Sequence, residues 1–149
     1  MAKLEFAVKG PPASVNTKGK GPHQSKLHSQ WRDRVRAAVR AQLPENWGPL
    51  SIPVRVEIVY FYVFTIKNVD NYIKPILDAL GSVASPTESI VWIDDGLVYD
   101  LRSVRYCRRE ISIEFDFRDA SDILLSALAE YGDDAEIVFV SIEWSETSL

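Results

Sequence analysis

Residues 3–8 alternate, with Leu4, Phe6 and Val8 on one side, and predict a first strand. Gly10-Pro11-Pro12 stops it, and the polar stretch 13–28, rich in Lys, Gly and Ser, predicts a long loop. From Ser29, a fair N-cap, Trp31, Val35, Ala38 and Val39 recur at helical spacing and predict a helix to about Gln42. Residues 44–49 read as a connector. The strongest strand covers 52–64. Val54, Val56, Ile58, Tyr60, Tyr62 and Phe64 share one side, and Arg55 and Glu57 begin the other. From Val59 onward both sides are apolar, as expected of a strand covered on two faces. A second helix is predicted from near Asn71 to near Gly81, with Ile73, Ile76, Leu77 and Leu80 inward. Pro75 then falls near its first turn, where the missing N–H costs little. After a loop over 82–90, the apolar run Ile90-Val91-Trp92-Ile93 is cut off by Asp94-Asp95-Gly96. Residues 97–106 and 110–117 alternate again, with Ile111, Ile113, Phe115 and Phe117 facing one way. They predict an antiparallel hairpin about Arg108-Arg109. Residues 121–131 predict a short helix on Ile123, Leu124, Leu128 and Tyr131, and 137–144 a last strand.

These elements describe an α+β protein: a single domain, a mixed β-sheet with two main helices, and a C-terminal helix–strand extension. A chain of 149 residues suits one domain with a real core. No apolar run approaches the roughly 18 residues of a membrane span. The start, Met-Ala-Lys-Leu-Glu-Phe-Ala-Val-Lys, alternates like a strand and has no signal-peptide core. The lone Cys107 excludes an intramolecular disulfide and fits a reducing compartment, so a cytoplasmic protein is expected. Cys107 itself reads as a small buried hydrophobe in a strand. With only His23 and His28 beside it, a Cys/His metal site has no basis. The net charge of −4 hides a division. All 17 Lys and Arg lie in residues 1–118 against 13 acids, leaving +4 there, while residues 119–149 hold 8 acids and neither Lys nor Arg. The low overall pI therefore does not exclude a nucleic-acid partner for the basic body.

The chemistry concentrates in residues 68–81, Asn-Val-Asp-Asn-Tyr-Ile-Lys-Pro-Ile-Leu-Asp-Ala-Leu-Gly. Asp70 stands where strand gives way to helix; Lys74 and Asp78 follow at successive helical turns and share a face. Asp94-Asp95 comes 25 residues after Asp70. The second helix is about 15 Å long and the following loop spans up to about 30 Å, so the chain can return the second acidic pair to the first. Such carboxylates suit a hard divalent metal. Two carboxylates about 4 Å apart repel by roughly 4 kcal/mol at an effective dielectric of 20, so a close pair implies a cation, a proton or solvent between them. Plainer readings stand beside this one. Asp70-Asn71 is also an ordinary helix-start signal, Asp94-Asp95-Gly96 an ordinary turn, and Lys74 with Asp78 a simple helical ion pair.

At these residues the chain resembles the RusA family of Holliday junction resolvases. Gly10-Pro11-Pro12 through Asn16 is similar to the family's Pro-Pro-Ser-x-Asn turn, and Trp31-Arg32-Asp33-Arg34-Val35 to its aromatic-Arg-Asp helix. Asp70 to Leu80 resembles its Asp-Asn-x-x-Lys-x-x-x-Asp-Ala-Leu signature, and Trp92-Ile93-Asp94-Asp95 followed by Val98 its second acidic motif. The likeness covers about residues 4–117. It implies a homodimeric, Mg²⁺- or Mn²⁺-dependent endonuclease that resolves four-way DNA junctions by paired symmetric nicks, with no organic cofactor and no membrane. By position it implies catalytic roles for Asp70, Asp95 and Lys74. The metal ligands would be Asp70 and Asp95, with Asp94 either a ligand or a supporting acid, and Asn71 and Asp78 would stand behind them. Phosphodiester hydrolysis needs an attacking hydroxide at neutral pH and charge compensation on phosphorus, and a carboxylate-held metal supplies both. Lys74 would stabilise transition-state charge or protonate the leaving oxygen. One position departs from the pattern: the family has a further acid two residues before Asp-Asn, and here it is Asn68. Asn68 can offer a carbonyl oxygen to a metal but brings no charge. A module that holds branched DNA without cutting is therefore the alternative, and a regulatory or partner-binding protein a third reading.

Candidate phosphate contacts are Lys18, Lys20 and Lys26 in the polar loop, Arg32 and Arg36 on the first helix, and Arg102 and Arg105 in the hairpin. Solvation is the plain reading of each. Alternation places the hairpin arginines, Arg108 and Arg109 included, on its polar face. Residues 1–118 are expected to form the nuclease domain and 119–149 an acidic extension packed on the same domain or on the dimer. The extension either completes that structure or covers the basic surface and competes with DNA.

Overall fold

The computed structural model describes residues 2–13, 22–63, 69–81, 89–110 and 120–145. Strand β1 (Ala2–Lys9) is followed by α1 (Pro22–Arg40), β2 (Val54–Tyr62), α2 (Val69–Leu80), β3 (Val98–Cys107), α3 (Asp122–Tyr131) and β4 (Ile137–Trp144). Short 3₁₀ turns cover Asp95–Leu97 and Arg108–Glu110. Among the described residues the strands form one mixed sheet in the order β1-β4-β2-β3. β4 is antiparallel to both β1 and β2, and β3 is parallel to β2.

Both faces of the sheet are covered, as the uninterrupted apolar end of β2 requires. Phe6 aligns with Val140, and Val140 with Ile58. This row, with Val54, Val56 and Tyr60, packs against Trp31, Val35 and Val39 of α1 and Tyr72, Ile76, Ala79 and Leu80 of α2. The alternate residues Val59, Phe61, Ile137 and Phe139 face Leu124 and Ala127 of α3. β4 therefore lies inside the sheet, and the acidic segment supplies its second strand and the cover of one face.

Several boundaries differ from expectation. α1 starts at Pro22, not Ser29, so Lys26 is an exposed helical residue and not a loop residue. Pro is well placed at a first helical position, where its fixed φ is already helical and no N–H is needed. Helix geometry then propagates back from the buried Trp31, Val35 and Val39. α2 starts at Val69, which makes Pro75 its seventh residue and places it in the interior, not the first turn. The carbonyl four residues earlier thereby loses its usual helical donor. The buried stripe of α2 is rotated toward Tyr72 and Ala79, with Ile73 and Leu77 only partly covered. β3 pairs in parallel with β2, through the crossover that α2 provides. The return arm expected over 110–117 lies, beyond Glu110, outside the described residues. Cys107 is half-buried at the end of β3. Ser121 caps α3 as expected, its Oγ accepting from the Leu124 N–H at 3.2 Å.

Candidate active site

The segment between α2 and β3 is held at three points. Leu80, at the end of α2, accepts from the N–H groups of Ile90 (3.2 Å) and Val91 (2.9 Å), so two orphan donors meet an orphan helix carbonyl. Leu50 donates to the Val91 carbonyl (2.7 Å) and accepts from Ile93 (3.0 Å), a short parallel bridge just before β2. The Trp47 indole donates to the Ile90 carbonyl at 2.8 Å. These bonds drive Trp92 fully into the core and turn the chain outward at Ile93. Asp94 and Asp95 follow at the entry to β3.

Asp94 is exposed and caps the first 3₁₀ turn, accepting from the Gly96 N–H at 2.8 Å. Asp95 is half-buried, and its Oδ1 accepts from the Trp92 indole N–H at 2.7 Å. Burial pushes the Asp95 carboxyl above the ordinary aspartate value. The Trp92 bond opposes this, Asp78 adds to it, Lys74 opposes it and Asp94 adds to it. Asp78, Asp94 and Lys74 thus lie within electrostatic reach of Asp95. Lys74 Nζ donates to Asp78 Oδ1 at 3.3 Å; the lysine is largely exposed and the aspartate largely buried. Exposure of Lys74 keeps this pair to a few tenths of a kcal/mol, as for other helical pairs.

Asp70 and Asn71 are the second and third residues of α2. Asp70 stands two turns before Asp78, about 12 Å along the axis at 1.5 Å per residue. Asp95 lies against the other end of the helix, at Gly81. Asn68, Lys18 and Lys20 lie outside the described residues. Among the described residues no three carboxylate, histidine or cysteine side chains surround one point closely enough to hold a metal by themselves. The donor chemistry nonetheless fits a hard cation. Asp95 and Asp94 offer carboxylate oxygens, the hard donors a divalent cation takes, with Asp78 and Lys74 within electrostatic reach of Asp95.

The arginines take varied positions. Arg36 Nε donates to the Ala79 carbonyl at 3.0 Å and fastens α1 to the last turn of α2. Arg32 reaches Ser29 Oγ at 3.5 Å. Arg102 pairs with Glu57 at 3.4 Å, and by register Arg105 stands beside Tyr60. Glu57 and Tyr60 point to opposite faces of β2, so Arg102 and Arg105 do not share the one polar face expected of them. They are an odd number of residues apart. Arg102 lies on the α3 side and Arg105 on the α2 side. Arg108 donates to the carbonyls of Gly132 and Ala135, the latter at 2.7 Å, and joins the end of β3 to the turn before β4.

Two participants escaped the sequence reading. Trp92 was read as part of an apolar run and Gly81 as a helix stop. A Cβ on Gly81 would overlap both Asp95 Oδ1 and Trp92 Nε1 and lie 2.8 Å from Trp92 Cδ1. Its φ is not in the left-handed region, so glycine is required here for space. The signal available in the sequence is the spacing Trp92-x-x-Asp95.

Fold and cluster define a class: an α+β protein that gathers carboxylates and a lysine beside a mixed sheet. The chain belongs to the RusA endodeoxyribonuclease family, whose model, Endodeoxyribonuclease RusA, matches residues 7–115, well over half of it. No curated protein matches the chain in a direct sequence comparison. Among the described residues no helix is long and apolar enough to cross a membrane.

Proposed function

We propose that this protein is a divalent-metal-dependent endonuclease that resolves four-way DNA junctions by paired nicks and works as a homodimer. The observation that carries the reading is the Lys74–Asp78 pair on α2 within electrostatic reach of Asp95, on a chain of the RusA family. Asp70 and Asp95 would supply carboxylates for Mg²⁺ or Mn²⁺, with Asp94 and Asn68 as further oxygen donors; Asp70 opens α2 and Asp95 abuts its far end, so each would meet an ion at its own end of the helix. The bound ion supplies Lewis acidity and an activated water. Asp78 holds Lys74 by the 3.3 Å contact, and the exposed ammonium is free to lean toward phosphate oxygens. Asn71 would stand behind Asp70. Residues 1–118 carry the nuclease function, and DNA phosphates meet Lys18, Lys20, Lys26, Arg32, Arg36, Arg102 and Arg105. Among them, Arg36 also bonds the Ala79 carbonyl, Arg102 pairs with Glu57 and Arg32 reaches Ser29 Oγ.

The test is cleavage of a labelled four-way junction in Mg²⁺ and in Mn²⁺ at fixed salt, with linear duplex as control. Wild type gives paired nicks in the junction only. Asp70→Asn, Asp95→Asn and Lys74→Met each lose at least about 100-fold, the scale of removing a transition-state contact. One observation favours a second reading: Asn68 stands where the family carries an acid. A protein that binds the junction tightly but yields no product in either metal is a non-cutting module, and Asn68→Asp then restores nicking.

A further inference from the structure

The metal-site reading leaves unexplained why a fully buried tryptophan spends its indole N–H on Asp95. A buried indole needs an acceptor, and backbone carbonyls are the common choice in a core. Trp92 instead reaches three residues forward to a half-buried carboxylate at 2.7 Å. The backbone on either side of it is held by the bonds of Val91 to Leu80 (2.9 Å) and Leu50 (2.7 Å) and of Ile93 to Leu50 (3.0 Å), so the tryptophan is tied to α2 and to the chain entering β2. Gly81 abuts both partners and leaves room for no side chain. Asp95 Oδ1 is thereby engaged by the indole, and Asp78 and Lys74 lie within electrostatic reach of the carboxylate.

We infer that Trp92 and Gly81 are positioning residues for Asp95: the indole N–H and the side-chain-free space beside it fix the rotamer in which Asp95 presents its other oxygen to a divalent cation. The inference rests on the proposed metal site and adds to it two residues that touch neither metal nor DNA. Ligand-orienting partners of this kind change metal affinity by about 10- to 100-fold when removed. Trp92→Phe keeps the aromatic packing and deletes only the donor, whereas Gly81→Ala keeps the donor and pushes the pair apart.

The experiment measures Mn²⁺ affinity from the electron-paramagnetic-resonance signal of free ion, for wild type and both variants, with circular dichroism to establish folding. Junction nicking is followed against Mn²⁺ concentration in parallel. The expected result is a folded Trp92→Phe whose Mn²⁺ dissociation constant and half-saturating concentration for nicking both rise about 10-fold. Its rate at saturating Mn²⁺ stays within about threefold of wild type. That split between ion affinity and plateau rate separates positioning of a ligand from general damage to the core, which lowers the plateau. Gly81→Ala shows the same split and carries the decision alone if Trp92→Phe does not fold. Folded variants that bind Mn²⁺ as wild type does overturn the inference and leave the metal site standing. A wild type that binds no Mn²⁺ overturns both.

Discussion

Glu136 offers the sharpest test of how the fold is held. It is 6% exposed, yet it stands at the start of β4, where a carboxylate has no helical or surface reason to be. Its Oε1 accepts from the Tyr60 hydroxyl at 2.6 Å and its Oε2 from the Val63 N–H at 2.7 Å. Its own carbonyl accepts from the Gly10 N–H at 2.6 Å. One residue thus fastens the end of β1, the end of β2 and the entry to β4. Hydrogen bonds to a charged group contribute about 1.5–3 kcal/mol each. Glu136→Ala deprives both the hydroxyl and the N–H of the carboxylate, and the summed loss is about 3–6 kcal/mol. Relief of the buried charge's desolvation offsets part of this, which sets the expected loss at about 3–4 kcal/mol. Glu136→Gln retains one acceptor oxygen and loses about 1.5–3 kcal/mol. With a urea slope of about 2 kcal/mol per molar, the midpoint falls by about 1.5–2 M for Ala and about 1 M for Gln. The assay is urea unfolding followed by circular dichroism at neutral pH. Midpoints of both variants within about 0.3 M of wild type, well under the slope-scaled expectation, would refute the claim that this carboxylate staples the three strands.

The same cluster sets an alkaline limit. Burial first, then the bond and charge of Glu136, hold the Tyr60 phenol far above its ordinary value of 10.0. The folded state therefore keeps a proton that the unfolded state releases. The contribution is complete below pH 10.0 and is lost as pH rises beyond it toward the folded value. Unfolding midpoints of wild type should fall more steeply above pH 10 than those of Tyr60→Phe, and parallel slopes would contradict this; Tyr72, also raised by burial, is common to both proteins. A chain ended at residue 118 should not fold, because β4 pairs with β1 from Lys9–Ile137 to Ala2–Trp144 and with β2 from Phe61–Ile137 to Arg55–Glu143. A truncated chain with native-like circular dichroism and resistance to proteolysis would count against that arrangement.

Most of the elements were legible in the sequence because local periodicity reports local geometry. β1, β2, α3 and β4 fall where alternation and helical spacing put them, and the doubly apolar end of β2 announced a sheet covered on both faces. The acidic motifs were also visible, since a family signature is carried by residue identity and spacing. Three things were decided only by tertiary structure. Strand order was one: antiparallel pairing of β4 with both β1 and β2 depends on contacts more than 70 residues apart, about which periodicity says nothing. The start of α1 was another, because core packing of Trp31, Val35 and Val39 stabilises polar turns whose own residues suggest a loop. The third was the role of Trp92 and Gly81. A buried tryptophan reads as core and a glycine after a helix reads as a stop, until the fold brings both against Asp95, where one donates a hydrogen bond and the other leaves the room for it.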